Sequence, residues 1–333
     1  MKVDISKSIG QKGMSLMSFG RILTAMVTPM NEALEVDYEE AKRLAQYLTV
    51  HGSDGVVVCG TTGESPTVTD QEKVELFRVV KEALGKSTVI AGIGSYSTAE
   101  SIALARKAAT TGVDGLMAVV PYYNKPSQEG IFQHFKAIAE ATSLPLMLYN
   151  IPGRTSVNLL PETVKRLSEI PNIVALKEAA GSLDQVSELK RMLPSKFSVY
   201  SGDDSMTLPM LALGCSGIVS VAAHIIGDEM KEMVDAWFDG DTAQATKWHL
   251  DLFPIFKGIF VTSNPVPIKA LMNMIGIKAG GVRLPLVKAT PAELKFLKDL
   301  IDGFKKVRVS SNNRTKVITQ LKVASEKVND IIV

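Results

Sequence analysis

Short apolar segments recur along the chain and alternate with longer segments whose apolar residues follow a helical period. They come at intervals of roughly 20 to 35 residues, the spacing of repeated strand–helix units. They are apolar throughout, which is typical of parallel strands covered on both faces. Eight strands are predicted, at Ile22–Val27, Gly55–Cys59, Thr88–Gly92, Gly115–Val120, Pro145–Asn150, Ile173–Lys177, Phe197–Gly202 and Gly217–Val221. This pattern favours a (β/α)8 TIM barrel, with a doubly wound parallel sheet as the alternative.

The segments between the predicted strands carry helix-start signals. Asp37 stands before a run of helix-forming residues, and Thr69–Glu72 has the sequence of a capping box. In that motif the first and fourth side chains bond each other's backbone N–H groups. Ser97–Glu100 repeats the sequence, and Pro161 suits a first helical turn. These signals predict helices between the strands, as a barrel requires.

The predicted domains follow from where the strand pattern stops. The barrel is expected over residues 20–240, after an N-terminal extension of residues 1–19. Beyond it the pattern is helical, which predicts a C-terminal helical extension over residues 241–305. Its helices are expected at Thr242–Ile259, Pro267–Met274 and Pro291–Phe304.

The tail over residues 306–333 has a different pattern. Its apolar residues recur at spacings of four and three, as in a heptad seam. They are Val317, Leu321, Ala324, Val328 and Ile331. The seam spans about two heptads, which is short for an independent coiled coil. The tail is therefore predicted to be a helix docked on the body or on a partner, with a frayed tail as the alternative.

The composition narrows the class of protein. Of 333 residues, 46% are apolar and 22% charged, and the net charge is +2. This even balance argues against nucleic acid or an anionic membrane as the main partner. No apolar run reaches the roughly 18 residues that a membrane span needs, and the N-terminus lacks a secretory signal core. The two cysteines, Cys59 and Cys215, lie in apolar surroundings, which predicts reduced thiols and a cytoplasmic protein.

Lys177 is the most informative single residue. It ends the apolar segment that begins at Asn172, so it is predicted at the carboxyl end of a buried strand. Burial favours the neutral amine, which is a nucleophile able to form a Schiff base with a carbonyl substrate. The alternative is a lysine just past the strand whose ammonium group extends to water.

Other reactive residues are predicted at the same face of the barrel, because catalytic groups lie at the carboxyl ends of barrel strands. These segments are Gly60–Glu64, Pro121–Asn124, Tyr149–Arg154 and Gly202–Asp204. A tyrosine near the lysine can transfer protons during imine formation, and threonine hydroxyls can extend a relay. Arg154 offers two parallel donors to a carboxylate. The combination predicts Schiff-base chemistry on a small keto acid.

Each segment also has a simpler structural interpretation. Gly60–Gly63 could be only a tight turn, and Tyr122 and Tyr123 could be core or interface aromatics. Arg154 could form a surface ion pair, and Asp203–Asp204 could cap a helix. Their shared location at strand ends, rather than any single match, favours the catalytic interpretation.

Other chemistries fit the sequence less well. The four histidines, His51, His134, His224 and His249, have no paired metal-ligand spacing, which disfavours a zinc-dependent aldolase. The chain has no Gly-x-Ser-x-Gly motif and no phosphate-binding Gly-Lys-Thr/Ser motif. Gly92–Gly94 lacks the third glycine of a dinucleotide loop.

These motifs resemble the dihydrodipicolinate synthase family of pyruvate-dependent class I aldolases. The resemblance runs from about Gly20 to about Ile301. Its motifs are Cys59–Thr67, Pro121–Pro126, Tyr149–Thr155, Leu176–Ala179 and Ser201–Asp204. The family implies a (β/α)8 barrel with a C-terminal helical domain. It also implies condensation of pyruvate with L-aspartate 4-semialdehyde, on the route to diaminopimelate and lysine.

The resemblance assigns the reaction centre by residue. Lys177 would form the Schiff base with pyruvate, and Tyr149 would transfer protons there. Thr61 would link Tyr149 to Tyr123, which in the family reaches into the neighbouring subunit's site. A dimer is then the minimal active unit, and a homotetramer built from tight dimers is expected.

The resemblance also assigns the substrate contacts. Thr62, together with Thr61, would hold the pyruvate carboxylate, and Arg154 would bind the carboxylate of the semialdehyde. Gly202 and Val219 would line the pocket with backbone groups. The family needs no metal and no organic cofactor.

Two alternatives remain at this point. N-acetylneuraminate lyases and sugar-acid aldolases of the same superfamily share the lysine and the tyrosine but usually lack an arginine matching Arg154. A non-catalytic barrel used as a binding or assembly scaffold would be expected to have lost a reactive residue, and none is lost here.

The sequence departs from the family at the lysine feedback site. Lysine-inhibited bacterial members have a histidine-bearing segment after the Gly-Thr-Thr-Gly-Glu-Ser loop and an asparagine before the third helix. This chain has Asp70, Lys73 and Tyr96 at those positions, whereas Ser65, Glu100 and Tyr122 match. A positive charge at Lys73 would cost a cationic ligand on the order of 1 kcal/mol or more. Weak or absent inhibition by lysine is therefore predicted.

Overall fold

The computed structural model describes residues 19–304 and contains a closed barrel of eight parallel strands in sequential order. The strands are β1 Ile22–Ala25, β2 Gly55–Val58, β3 Thr88–Gly92, β4 Gly115–Val119, β5 Leu146–Asn150, β6 Ile173–Glu178, β7 Ser198–Ser201 and β8 Gly217–Ser220. Because β1 pairs with β8, the sheet has no open edge. The (β/α)8 prediction is confirmed, and the doubly wound alternative is excluded.

Helices cover the outside of the barrel. They are α1 Tyr38–Val50, α2 Asp70–Leu84, α3 Thr98–Ala109, α4 Gln128–Glu140, α5 Pro152–Thr155, α6 Pro161–Leu167, α7 Leu183–Met192, α8 Thr207–Ala212 and α9 Ala223–Phe238. A short 3-10 helix, Asp204–Met206, precedes α8. Within residues 19–304, no helix is long and apolar enough to cross a membrane.

The predicted helix starts are confirmed, with one difference in detail. Asp37 caps α1, and Thr69 and Glu72 form both halves of the capping box of α2. Ser97 caps α3 by accepting from the N–H of Glu100. The Glu100 carboxylate instead accepts from the Ser95 hydroxyl, so only half of the second box forms.

Within residues 19–304, three helices follow the barrel, as predicted. They are α10 Thr242–Gly258, α11 Val266–Met274 and a last helix over residues 291–304. Leu297, Ile301 and Phe304 of the last helix are buried in the main core. The domain boundaries at residues 240 and 305 stay predictions. The N-terminal extension, except Phe19, and the tail with its apolar seam lie outside the described residues.

The register of β5 and β6 positions the predicted catalytic pair. Tyr149 of β5 lies opposite Lys177 of β6, and Lys177 lies opposite Tyr200 of β7. Side chains alternate along a strand, so Lys177 faces the same way as Ala175, two residues earlier. Ala175, Tyr149 and Tyr200 all belong to the buried cluster inside the barrel. The lysine therefore points into the barrel interior.

Candidate active site

A cavity of about 210 Å³ opens at the carboxyl ends of the barrel strands. The loops after β2 and β5 and the ends of β3 and β4 form its wall. Its lining is Cys59, Gly60, Thr61, Ser65, Pro66, Gly92, Gly94, Met117, Val119, Tyr122, Tyr149, Ile151, Arg154 and Thr155. The cavity therefore brings together three predicted site residues, Thr61, Tyr149 and Arg154.

Lys177 is buried, with 5% of its surface exposed. It lies against Tyr149, which lines the cavity. Its Nζ lies 4.1 Å from the centre of the Tyr149 ring. Burial lowers the pKa of Lys177 to about 7, and the positive charge of Arg154 acts in the same direction. A large fraction of the amine is thus neutral and nucleophilic near neutral pH. The alternative of a lysine extended to water is wrong.

Tyr149 connects the lysine to the cavity. Burial raises the pKa of its phenol to about 12, opposed by the charge of Arg154 and by a hydrogen bond with Thr61. The phenol is therefore protonated at neutral pH and can donate a proton to a neighbouring atom. The relay through Thr61 stays a prediction, and the interaction of Tyr149 with Thr61 lies along it.

One buried carboxylate, Asp204, acts on Lys177 from a distant segment of the chain. The charge of Asp204 opposes the burial effect and raises the pKa of Lys177. Asp204 itself accepts from the N–H groups of Val221 and Ala222, at 3.1 and 3.0 Å, just beyond β8. Burial raises the pKa of Asp204 to about 6. Of the two predicted cap residues, Asp203 does cap the 3-10 helix, whereas Asp204 is an electrostatic partner of the lysine.

The loop after β2 presents Thr61 and Thr62. Cys59 and Glu64, on either side of it, have φ values of 57° and 55°, in the left-handed region that non-glycine residues rarely adopt. A Cβ at Gly63 would lie 3.0 Å from the Cys59 Cα, so the loop packs too closely for a larger residue there. Thr62 is buried, and its hydroxyl oxygen accepts from Asn264 Nδ2 at 2.8 Å.

Arg154 enters the site on α5, the four-residue helix that begins with Pro152 directly after β5. Its side chain is exposed and lines the cavity. Its charge reaches both Tyr149 and Lys177, since it lowers the pKa of each. A guanidinium at the mouth of the cavity is available to an anionic ligand.

Gly202 lies beside the lysine, and neither Gly202 nor Val219 is in the cavity wall. A Cβ at Gly202 would lie 3.1 Å from Lys177 Cε and 2.8 Å from Ala179 Cβ. Glycine at this position thus leaves room for the lysine side chain. Val219 is buried in the cluster inside the barrel, together with Tyr149.

Tyr123 is not brought to the site of its own chain. Its side chain is 91% exposed, and its backbone has a φ of 72°. The neighbouring Tyr122 is half-buried, lines the cavity and meets Tyr96 edge to face, with ring centres 5.3 Å apart. Within residues 19–304, Tyr149 therefore interacts with Thr61, and Tyr123 does not join this pair.

The residues compared with the lysine feedback site lie around the same cavity. Ser65 and Tyr122 line it, and the charge of Lys73 reaches Cys59 in its wall. Lys73 forms an ion pair with Asp70, with 3.8 Å between Nζ and Oδ1. This pairing offsets part of the positive charge that the sequence places there.

Sequence reasoning missed the contacts from the C-terminal helices. Asn264, before α11, bonds Thr62, and Lys269 on α11 bonds Glu64 at 2.7 Å, in each case across more than 200 residues. Lys269 did carry a signal, because it is a charged residue within an apolar helix, as Lys177 is within an apolar strand. Among the residues that the structure describes, no cluster of three or more His, Cys, Asp or Glu side chains could hold a metal ion.

A neutral lysine amine at a barrel strand end, paired with a buried tyrosine, defines a lyase of the class I aldolase type. The comparison with known families agrees, since the profile of the dihydrodipicolinate synthetase family matches residues 18–303. The chain belongs to this family, which confirms the resemblance predicted from its motifs.

Several similar relatives bear one name. The 4-hydroxy-tetrahydrodipicolinate synthase of Desulforamulus reducens is 60% identical over 87% of this chain and 99% of its own. That of Moorella thermoacetica is 59% identical, over 83% and 95%. A solved dihydrodipicolinate synthase from Bacillus anthracis is 48% identical, with a TM-score of 0.84 over 86% of this chain and 98% of its own. These names favour the synthase interpretation over the sugar-acid aldolases and over a non-catalytic scaffold.

Proposed function

We propose that the protein condenses pyruvate with L-aspartate 4-semialdehyde, the 4-hydroxy-tetrahydrodipicolinate synthase reaction of lysine and diaminopimelate biosynthesis. The observation that carries the proposal is Lys177, whose pKa is lowered to about 7 inside the barrel, with Tyr149 against its Nζ. A neutral amine beside a protonated phenol is the pair that imine formation from a ketone requires.

In the first step the Lys177 amine attacks the ketone carbon of pyruvate. The ketone oxygen becomes a carbinolamine hydroxyl and leaves as water after it takes a proton from Tyr149, which gives an imine. Loss of a proton from the pyruvate methyl group then converts the imine to an enamine. The Tyr149–Thr61 hydrogen bond supports proton return to the phenol.

In the second step the enamine carbon attacks the aldehyde of the semialdehyde and forms the new carbon–carbon bond. The semialdehyde's own amine then attacks the imine carbon, closes the ring and releases the Lys177 amine. Arg154 is proposed to bind the semialdehyde carboxylate, and its exposed position at the cavity mouth supports this role. The net reaction joins the two substrates with loss of one water.

The pyruvate end of the pocket is proposed to consist of Thr61, Thr62, Gly202 and Val219. The hydroxyl and backbone groups of the two threonines would hold the carboxylate, on a loop that glycines allow to approach closely. Gly202 and Val219 would line the lysine side, and their packing around Lys177 and Tyr149 supports this.

We further propose that the active form is a homotetramer built from tight dimers, in which Tyr123 completes the relay of a neighbouring subunit. A tyrosine with 91% of its surface exposed, on a backbone of positive φ, supports a role in contact with a second chain. A cytoplasmic location is supported by the free, buried thiols of Cys59 and Cys215.

The test compares two substrates and two arginine variants. The protein should turn over aspartate semialdehyde with pyruvate and should not cleave N-acetylneuraminate. Arg154→Ala should raise the KM for the semialdehyde by about 10- to 100-fold, which corresponds to the loss of a hydrogen bond to a charged group. The KM for pyruvate should change little. Arg166→Ala, which removes an exposed arginine paired with Glu129, is the matched control and should change neither. Cleavage of N-acetylneuraminate without semialdehyde turnover would contradict the proposal.

A further inference from the structure

The loop that carries Thr61 and Thr62 needs support from outside the barrel. Two of its residues, Cys59 and Glu64, have positive φ values, a conformation that costs a non-glycine residue on the order of 1 kcal/mol or more. Such a backbone persists only where its surroundings fix it. Thr28 fixes one point, since its hydroxyl donates to the Gly63 carbonyl at 2.7 Å. The other contacts come from the C-terminal segment.

Glu64 is the main anchor point. Its carboxylate accepts from Lys269 Nζ at 2.7 Å and from the backbone N–H of Arg283 at 2.9 Å. Lys269 also donates to the Gly281 carbonyl at 2.6 Å. The Glu64 and Lys269 side chains are 1% and 2% exposed. A buried pair of this kind adds little net stability over an apolar pair of the same size, so its contribution here is positional.

Arg283 holds the far end of the same loop. Its guanidinium donates to the Thr67 carbonyl and to the Glu72 carboxylate, both at 2.8 Å through Nη1. The segment from residue 264 to residue 283 therefore contacts the loop at its middle and at its end.

Asn264 makes the contact nearest to the reaction centre. Its Nδ2 donates to the Thr62 hydroxyl oxygen at 2.8 Å. A hydroxyl carries one hydrogen, and because its oxygen here accepts, that hydrogen is available to another acceptor. In this orientation the Asn264 Oδ1 is buried without a hydrogen-bond partner among residues 19–304, so the amide acts on Thr62 as a donor.

We infer that Asn264 is a positioning residue that presents the Thr62 hydroxyl as a hydrogen-bond donor to the substrate carboxylate, on a loop that the Glu64–Lys269 pair holds in place. This inference rests on the proposed function, in which that carboxylate belongs to pyruvate. A donor fixed before binding loses no orientation entropy when the ligand arrives. Because the carboxylate is present in both ground and transition states, Asn264 acts on pyruvate binding rather than on the rate of the bound complex.

The test measures Schiff-base trapping by borohydride as a function of pyruvate concentration. Asn264→Ala should raise the half-saturating pyruvate concentration roughly tenfold, with the saturated rate within about twofold of the unmodified protein. Thr62→Val should have a similar effect, and the double variant should be no more than about twofold worse than either single variant. Asn264→Asp should be worse than Asn264→Ala, because its carboxylate accepts the Thr62 hydrogen and repels the ligand.

Asn172→Ala is the matched control. Asn172 also donates through its amide to backbone carbonyls, but it precedes β6 at the opposite end of the barrel. It should leave the pyruvate dependence unchanged. If the increases in half-saturating pyruvate concentration caused by Asn264→Ala and Thr62→Val multiply in the double variant, Asn264 does not act through Thr62 and the inference is overturned. If the unmodified protein is trapped but Asn264→Ala shows the same pyruvate dependence, this inference alone fails. Absence of trapping in the unmodified protein would overturn the proposed function as well.

Discussion

At the scale of single residues, the reactivity of the Lys177 amine depends on how burial and nearby charge set its pKa. The lysine could be predicted because a charge at the end of an apolar run is unusual. The effect of Asp204 on this pKa could not be predicted from the sequence. Its charge acts on a residue of another strand, and its oxygens accept from backbone N–H groups beyond β8. Sequence spacing carries no information about which of two adjacent aspartates turns inward.

The pH dependence of trapping tests this electrostatic balance. Only the neutral amine reacts, so the trapping rate at low pyruvate should rise with pH, reach half its maximum near pH 7, the pKa of Lys177, and level off above it. Asp204 favours the ammonium form, so Asp204→Asn should lower the pKa of Lys177 and move the inflection to lower pH. Asp203→Asn, which removes the adjacent charge but keeps the capping oxygen, should leave the inflection in place. An inflection that moves to higher pH in Asp204→Asn would contradict this assignment.

The charge of Lys73 is predicted to set the sensitivity of the protein to lysine. The ion pair with Asp70 offsets part of that charge, yet the ammonium remains within reach of the cavity wall. Initial rates should therefore change little with added lysine, and Lys73→Ala should be more sensitive than the unmodified protein. Lys86→Ala, beyond the far end of α2, is the control. Strong inhibition of the unmodified protein by sub-millimolar lysine would rule this out.

At the scale of elements, the pattern of apolar residues predicted all eight strands and the helices after the barrel. Strand ends differ by one or two residues, as at β7, where Phe197 and Gly202 lie just outside the ladder. The short helices α5 and Asp204–Met206 were not predicted, because segments of three or four residues are too short to show a helical period. The contacts of Asn264 and Lys269 escaped because they join residues more than 200 positions apart.

Removing one member of the buried ion pair should destabilise the protein strongly. Lys269→Met leaves the Glu64 carboxylate buried without its cation, which should cost about 3–5 kcal/mol of unfolding free energy. The double variant Glu64→Leu/Lys269→Met should recover most of that loss. Urea unfolding measures both, and Lys295→Met, which breaks an exposed pair with Asp299, should leave the midpoint unchanged. A single variant as stable as the unmodified protein would show that the pair is not desolvated in solution.

At the scale of the whole molecule, the closed barrel explains why residues from four separate segments line one cavity. That convergence could be predicted, since parallel strands in a barrel share one carboxyl end. The place of Tyr123 could not be predicted from composition or spacing, because its partner would belong to another chain.

The role of Tyr123 predicts a link between assembly and catalysis. Sedimentation should give a tetramer, and Tyr123→Phe should lower kcat by about 10- to 100-fold, because it removes only the hydroxyl needed for proton transfer. Tyr96→Phe, which changes another exposed aromatic of the same surface, should lower kcat far less. A monomer with full activity would contradict the proposed relay.

The most direct test of the central claim is borohydride reduction in the presence of pyruvate, followed by peptide mass mapping. The expected result is a single reduced pyruvyl adduct on Lys177, absent from Lys177→Met and from samples without pyruvate. Lys269, the other lysine buried to a similar degree, should remain unlabelled and serves as the internal control. Labelling of Lys269 or a surface lysine in place of Lys177, or no labelling at all, would contradict the Schiff-base mechanism.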